Sequence, residues 1–478
     1  MFKNTNQKLN IHIEALSAIF LIILVSLFLI VNLFIGFILP LYLVAMGVSF
    51  LVAFFYPRSG LYAIIFLTMI FELNFTLTPF TIGKIGYRIY PLDILIIGTI
   101  LGILTQCLAG LKKKRVDWIL IGFIILNILY FFVSIFFLKA DFSLAFSSLK
   151  SVAFYGLLYF IVFFLIRTEV DFKRLAKFFL AGAISIVGFI IAGLILGKGI
   201  WSELTPGLRL LAFTHGLFVS FALFALFAKL IFEQKKKFLQ FDWKMALSII
   251  WIIGIVGTMM RHLWLSIFAS LAIVYFFLTR DKKIKFIKIV ASISIFFSLA
   301  IFIALYISWM APNSKVNEII NKSRVVIVTR GGSLASLEED ESASWRILVW
   351  KSAYEKYGKN FILGNGTGQK IFVEKKGYQA IINVREMHNS YFVMIVQLGF
   401  FGLGIFLYFV FLVVRKLIKL DNGNSSRNVY KYALMGCLSL FLVASLFQPY
   451  METNTLNLFL WIMLGLARIL PEIKFNQE

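Results

Sequence analysis

Cysteine is nearly missing from this chain: Cys107 and Cys437 are the only two in 478 residues, and both fall inside or beside apolar runs. That excludes a disulfide framework and a cysteine-based zinc site. Charge is scarce as well. Charged residues make up 15% of the chain, against roughly 25% in a soluble globular protein. Apolar residues take their place, at 60% with a mean hydropathy of +0.91, where soluble domains carry roughly 45–50%. No soluble-domain reading survives this composition.

The apolar excess comes in long runs, and a helix needs roughly 17–25 such residues to cross the hydrocarbon core of a bilayer. Candidate spans are 16–35, 37–55, 61–77, 91–109, 118–138, 144–166, 178–196, 210–232, 245–260, 263–278, 287–310, 391–414, 432–447 and 456–470. The first run is too long for a signal-peptide core and leads straight into the second, so it reads as a retained span. Gly36 and Pro40 split that pair, which leaves a re-entrant hairpin open. The expected fold is an all-α polytopic membrane protein with about 12–14 transmembrane helices.

A net charge of +24 raises the question of nucleic acid. The cations form no patch with interleaved aromatics, and nucleic acid is not an expected partner. They sit in short clusters: Lys112–Arg115, Arg167 with Lys173 and Arg174, Lys235–Lys237, Arg280 with Lys282, Lys283 and Lys285, and Arg415 with Lys416 and Lys419. Each cluster follows an even-numbered span. By the positive-inside rule both termini are then cytoplasmic.

This threading divides the chain into spans 1–11 (residues 1–310), a large external loop (311–388) and spans 12–14 (389–478). The loop holds an acidic, small-residue stretch from Gly331 to Glu341, a helical pattern around Trp345, Leu348, Val349 and Tyr354, and a glycine turn at Gly364, Gly366 and Gly368. A connection of that length with its own apolar face is unlike a linker.

Three polar features fall at the external mouths of inward-running spans: Arg209, the pair Arg261-His262, and the pair His388-Asn389. A helix N-terminus carries about half a positive charge and unpaired N–H groups, which attract phosphate. Two arginines on such ends make an anion receptor without a metal, and no His/Asp/Glu or Cys cluster on this side has ligand spacing. An arginine there can also simply snorkel to headgroups. His12, His215 and His262 read as polar caps. His388 is followed after Asn389 by nine residues, Gly399, two residues and Gly402. At 3.6 residues per turn the two glycines fall on its face of the helix and would let a neighbouring helix pack closely. A histidine held above such a seam suits a general base.

The pattern His388-Asn389, nine residues, Gly399-x-x-Gly402, preceded by a long external loop, resembles the O-antigen ligase and O-antigen polymerase superfamily. Arg261-x-x-x-Leu265 is similar to the ligases' second short motif. Arg346 with Trp350, the Gly364-x-Gly366 turn, and Asp93 in Tyr90-Pro91-Leu92-Asp93 are similar to further positions of that family. The resemblance implies a metal-independent, inverting membrane glycosyltransferase of the GT-C type, without a cofactor. Its donor would be a glycan on undecaprenyl pyrophosphate, and its place the outer face of the bacterial cytoplasmic membrane. Carried over, Arg261 with Arg209 would bind the departing pyrophosphate, Arg346 and Asn389 would contact pyrophosphate or glycan, and His388 would deprotonate or position the acceptor hydroxyl. A ligase would use lipid A–core as acceptor, and the two motifs tilt the reading that way. A polymerase would use another lipid-linked repeat unit. A flippase would need polar residues lining span interiors, which are nearly all apolar here.

Overall fold

The computed structural model describes residues 2–72, 80–82, 87–110, 117–196, 199, 209–232, 243–312, 317, 321, 341–375, 378–420 and 423–475. The basic clusters at 112–115 and 235–237 and most of the acidic stretch at 331–341 lie outside them.

Each of the fourteen apolar runs contains helix. The elements are α1 (Phe2–Ile35), α2 (Leu39–Phe55), α3 (Pro57–Phe71), α4 (Pro91–Leu108), α5 (Trp118–Phe136), α6 (Phe142–Leu149) and α7 (Leu157–Leu165). They continue as α8 (Glu169–Leu196), α9 (Phe213–Phe232), α10 (Trp243–Gly257), α11 (Arg261–Phe277) and α12 (Arg280–Met310). A further helix, α13 (Glu341–Tyr357), belongs to the long loop, and α14 (Ser390–Ile418), α15 (Ser425–Ala444) and α16 (Asn454–Ile469) complete the bundle. Among the described residues, nine helices are long and apolar enough to cross a membrane. The chain is a multi-pass, all-α membrane protein.

Local chemistry sets the helix starts. Proline opens α3 and α4, where its missing N–H is no loss. Asp141, Asn389 and Asn424 cap α6, α14 and α15 through their side chains. The sixth span is interrupted: a π-helical segment, Lys150–Phe154, separates α6 from α7. Lys150 in it pairs with Asp93 of α4 and lies 4.3 Å from the centroid of the Tyr90 ring. This span therefore carries a charge well inside its run, a departure from the apolar interiors that the sequence suggests. The carbonyl of Ser151, in the same distorted turn, accepts from Asn457 and Trp461 of α16, so the backbone loosened by the π segment is satisfied by its neighbour.

Burial divides the spans into a hub and a rim. The apolar windows of α9 and α16 are each 89% buried, whereas that of α12 is 17% buried. The central helices are covered by protein, and the outer ones present Leu, Ile and Phe outward, as a bilayer requires. The long loop has a smaller core of its own. Val349, Ala353 and Tyr357 of α13 pack on Ile371 and Val373 of an antiparallel hairpin, β3 (Lys370–Lys375) and β4 (Tyr378–Asn383), and on Val393 and Val396 of α14. A first short hairpin, β1 (Phe80–Ile82) with β2 (Tyr87–Ile89), precedes α4.

Candidate active site

The long loop is not merely placed over the bundle; its glycine turn is built into α14. At Gly399 the helix breaks, with φ 72° and ψ 179°. Backbone groups freed there bond to the loop: Asn365 N–H donates to Val396 O at 2.8 Å and Gly366 N–H to Gln397 O at 3.0 Å, while Phe400 N–H donates to Phe361 O at 2.7 Å. A Cβ on Gly399 would lie 2.2 Å from Ile362 O, and one on Gly364 2.5 Å from Gln397 O. Two backbones therefore meet where only glycine permits it. On the other flank Thr367 N–H donates to Ser134 Oγ of α5 at 2.7 Å, and Tyr130 Oη donates to Leu363 O.

This corrects the expectation of a helix–helix seam below His388. The break at Gly399 destroys the 3.6-residue register that put His388, Gly399 and Gly402 on one face. Gly399 faces the backbone of the loop. Gly402 faces the Leu398 side chain of its own element, and a Cβ added to this glycine would lie 2.3 Å from that of Leu398. Both glycines serve the kink.

His388 stands just before α14, not in it. Its φ is +56°, an uncommon conformation for a side-chain-bearing residue. Asn389 is the N-cap, and its Oδ1 accepts from Tyr391 N–H and Phe392 N–H at 3.0 and 3.1 Å. The residue expected to touch substrate thus has its carbonyl oxygen engaged on the helix. Three neighbours hold the turn. Trp350 Nε1 of α13 donates to Met387 O at 2.7 Å, Ser390 N–H donates to Ser445 O at 2.9 Å, and Gln448 Oε1 lies 2.9 Å from His388 Nδ1.

Arg261 is the first residue of α11, after a tight turn in which Met259 has φ +55°. Arg209 precedes α9, tied in place where Leu210 N–H donates to Gly257 O at 2.9 Å. Arg346 comes from α13 of the loop. All three arginines and His388 are half-buried. The charges of Arg346, His388, Arg209 and Arg261 all act on the ring of His262. His262 is buried and its Nε2 lies 3.0 Å from Tyr450 Oη. The structure therefore brings four of the expected site residues to one end of the bundle, beside a histidine that reads as a mere cap in the sequence.

Four further members fall outside the expectations drawn from sequence. Gln448, Tyr450 and Glu452 lie in the short connection between α15 and α16. Glu452 accepts from Ser390 Oγ at 2.6 Å, and burial pushes its carboxyl up to about 7, opposed by the Ser390 hydrogen bond and the Arg385 charge. Arg385 donates to Ser147 Oγ and to the carbonyl of Glu452. Span parity puts residues 448–452 at the same end as His388. Arg385 stands three residues before His388, near the start of the same span. Both signals are present in the sequence.

Residues 246–407 match the family model described as O-antigen ligase. The similarity is to the O-antigen ligase and polymerase superfamily. The matched stretch is about a third of the chain and runs from α10 into α14, taking in Arg261, His262, Arg346, the glycine turn, His388 and the Gly399 break. Arg209 and the 448–452 connection lie outside it. A search of curated proteins finds no match. Family and fold together support an O-antigen ligase-type glycosyltransferase in a multi-pass bacterial inner-membrane protein.

Proposed function

We propose that this protein transfers a glycan from undecaprenyl pyrophosphate to an acceptor hydroxyl at the external face of the membrane, and that the acceptor is lipid A–core. The observation that carries the reading is that hydrogen bonds tie together the segments bearing Arg209, Arg261, Arg346 and His388: Leu210 N–H to Gly257 O, His262 with Tyr450, Gln448 with His388, and Trp350 to Met387 O. Guanidinium forks suit a pyrophosphate, offering paired N–H donors to its oxygens and stabilising charge as it departs. No metal is needed for that role.

His388 supplies the acceptor side. A carbonyl oxygen can only accept, so beside Gln448 Oε1 the His388 Nδ1 carries a proton, and in the neutral ring Nε2 is then the nitrogen with the lone pair. The acceptor oxygen attacks the anomeric carbon opposite the pyrophosphate. The new C–O bond forms as the bond to the pyrophosphate oxygen breaks, the lipid pyrophosphate leaves with the electron pair, and the hydroxyl proton passes to Nε2. Attack from the opposite face inverts the anomeric centre. The loop supports this geometry: Trp350 bonds the residue before His388, and the glycine turn is fixed into α14.

Gene deletion followed by a gel of surface polysaccharide tests the reading. Loss of every capped lipid A–core species supports the ligase. Core capped with a single repeat unit shows a polymerase instead, and an unchanged ladder overturns both. Purified protein should keep its transfer rate in excess chelator, and activity restored only by added Mg²⁺ or Mn²⁺ would refute the arginine-based pyrophosphate site. The assigned face is checked separately, since a reporter active only outside the cytoplasm should be active within 331–341 and silent at Lys236.

A further inference from the structure

The helices that carry the His388 cluster at one end enclose a cavity at the other. It measures about 890 Å³ and lies among α8, α9, α15 and α16. The placement follows from the chain: α14 starts beside His388, and the cavity touches Gly423–Ser426, beyond that helix's far end. α15 likewise begins at the cavity and ends before Gln448, a run of 20 residues, or about 30 Å.

The interior is apolar, with Phe179, Phe221, Leu226, Phe459, Met463 and Leu466 among its walls. Its charges are all of one sign. Lys173, Lys177 and Lys229 line it, and no Asp or Glu does. Lys173 is bridged to Glu169 at 2.6 Å, whereas among the described residues Lys177 and Lys229 form no ion pair and are exposed. Lysines at the lip of an apolar cavity between membrane helices select a ligand with an anionic head and a long apolar body. A free anion would leave the walls uncovered, and a neutral lipid would leave the lysines unanswered. The volume is that of a small-molecule site, roughly 300–1,000 Å³, not of a docking groove for a protein.

We propose that this cavity binds an anionic glycerophospholipid, drawn from the leaflet at that end, with its phosphate on Lys177 and Lys229 and an acyl chain between α9 and α16. The site is separate from the transfer reaction and stands whether or not that reading holds.

The test is native mass spectrometry of the full chain after exchange into phosphatidylglycerol or phosphatidylcholine of identical acyl composition. Wild-type protein should retain phosphatidylglycerol in preference. Each of Lys177→Gln and Lys229→Gln should lower that retention about five-fold, from the roughly 1 kcal/mol that one basic residue contributes near an anionic headgroup, and leave phosphatidylcholine unaffected. Ala225→Phe, which fills the cavity, should lower retention of both lipids. Size-exclusion profiles and melting midpoints establish that each variant is folded. Equal retention of the two lipids by wild type, or undiminished phosphatidylglycerol in the folded double lysine variant, overturns the proposal. Displacement of phosphatidylglycerol by undecaprenyl phosphate at equal concentration overturns it too, because the lipid class would then be wrong.

Discussion

The His388 cluster and the cavity at the opposite end of the bundle use different cations. At the His388 end the cations are arginines, brought by the segment before α9, the start of α11, the loop helix α13 and the turn before α14. The cations that line the cavity are lysines, Lys173 and Lys177 of α8 and Lys229 of α9. Guanidinium is planar and presents a rigid fork, so it orients a diphosphate; ammonium is a point charge on a flexible stem, which follows a mobile headgroup. The arginine end also has a hydrogen-bonded frame, Gln448–His388 and Ser390–Glu452, and the lysine end has apolar walls. One end is organised to hold a geometry and the other to hold a substance.

The sharpest way to break this contrast is at His388. Removing a positioned general base costs roughly 10²–10⁴-fold in rate. His388→Ala should lose that much single-turnover transfer and still bind lipid-linked donor through the arginines, whereas Lys177→Gln should transfer at the wild-type rate. Normal turnover by His388→Ala, or loss of donor binding before loss of rate, removes the assigned role. His388→Gln separates proton acceptance from orientation: little recovery indicates the former, substantial recovery the latter.

Arg261 comes next. Loss of one preorganised electrostatic partner costs about 10²–10³-fold, so Arg261→Ala should abolish measurable transfer at normal abundance. Arg261→Lys should recover a small fraction at most, because charge without the fork is what the opposite end already has. If Arg261→Lys is fully active, the difference between the two ends is only one of sign.

The helices are legible in the sequence because the bilayer leaves few options: each of the fourteen apolar runs contains helix, and nine helices among the described residues are long and apolar enough to cross a membrane. Arg261 and His388 are visible because a cation or an imidazole at the end of a span stands against an apolar background. Three things are not visible. The break at Gly399 reads as helix, since a single glycine in an apolar run is tolerated and the compensating bonds come from the distant loop segment 361–366. His262 reads as a cap until Tyr450, 188 residues away, is placed against it. Asn389 reads as a ligand until its carbonyl oxygen is seen on the backbone of α14. The first two depend on distant contacts and the third on cap geometry, none of which periodicity carries.

A smaller effect is expected at the break. A side chain at the φ/ψ of Gly399 costs on the order of 1–3 kcal/mol, and its Cβ would strike Ile362 O. Gly399→Ala should lower the melting midpoint by several degrees and expose 361–366 to limited proteolysis. Gly404→Ala, further along the same helix and with nothing within 4 Å of a Cβ, should do neither. If the two variants behave alike, the loop is not anchored through this break and the frame around His388 must rest on Trp350 and Gln448.

The smallest effect is one of pH, and it bears on the frame itself. Glu452 accepts from Ser390 Oγ at 2.6 Å, beside Arg385, and burial raises its carboxyl from 4.5 to about 7 in the folded protein. An acid whose folded-state value lies above its unfolded one binds more protons when folded across the interval between them. Stability must then fall as pH rises through that interval, and the contribution is gone above about 7. This is opposite to the usual paired carboxylate, because desolvation exceeds what Ser390 and Arg385 return. Glu452→Gln keeps the hydrogen bond to Ser390 and has nothing to titrate, so its apparent melting midpoint should change less between pH 5 and pH 8, by about 1–2 °C relative to wild type. Lys229 lines the cavity far from Glu452, so Lys229→Gln should follow the wild-type profile. A Glu452→Gln profile parallel to wild type would mean that Arg385 keeps the carboxylate ionised throughout. The arginine end would then be held by an ion pair, and its hydrogen-bonded frame would not distinguish it from the lysine end.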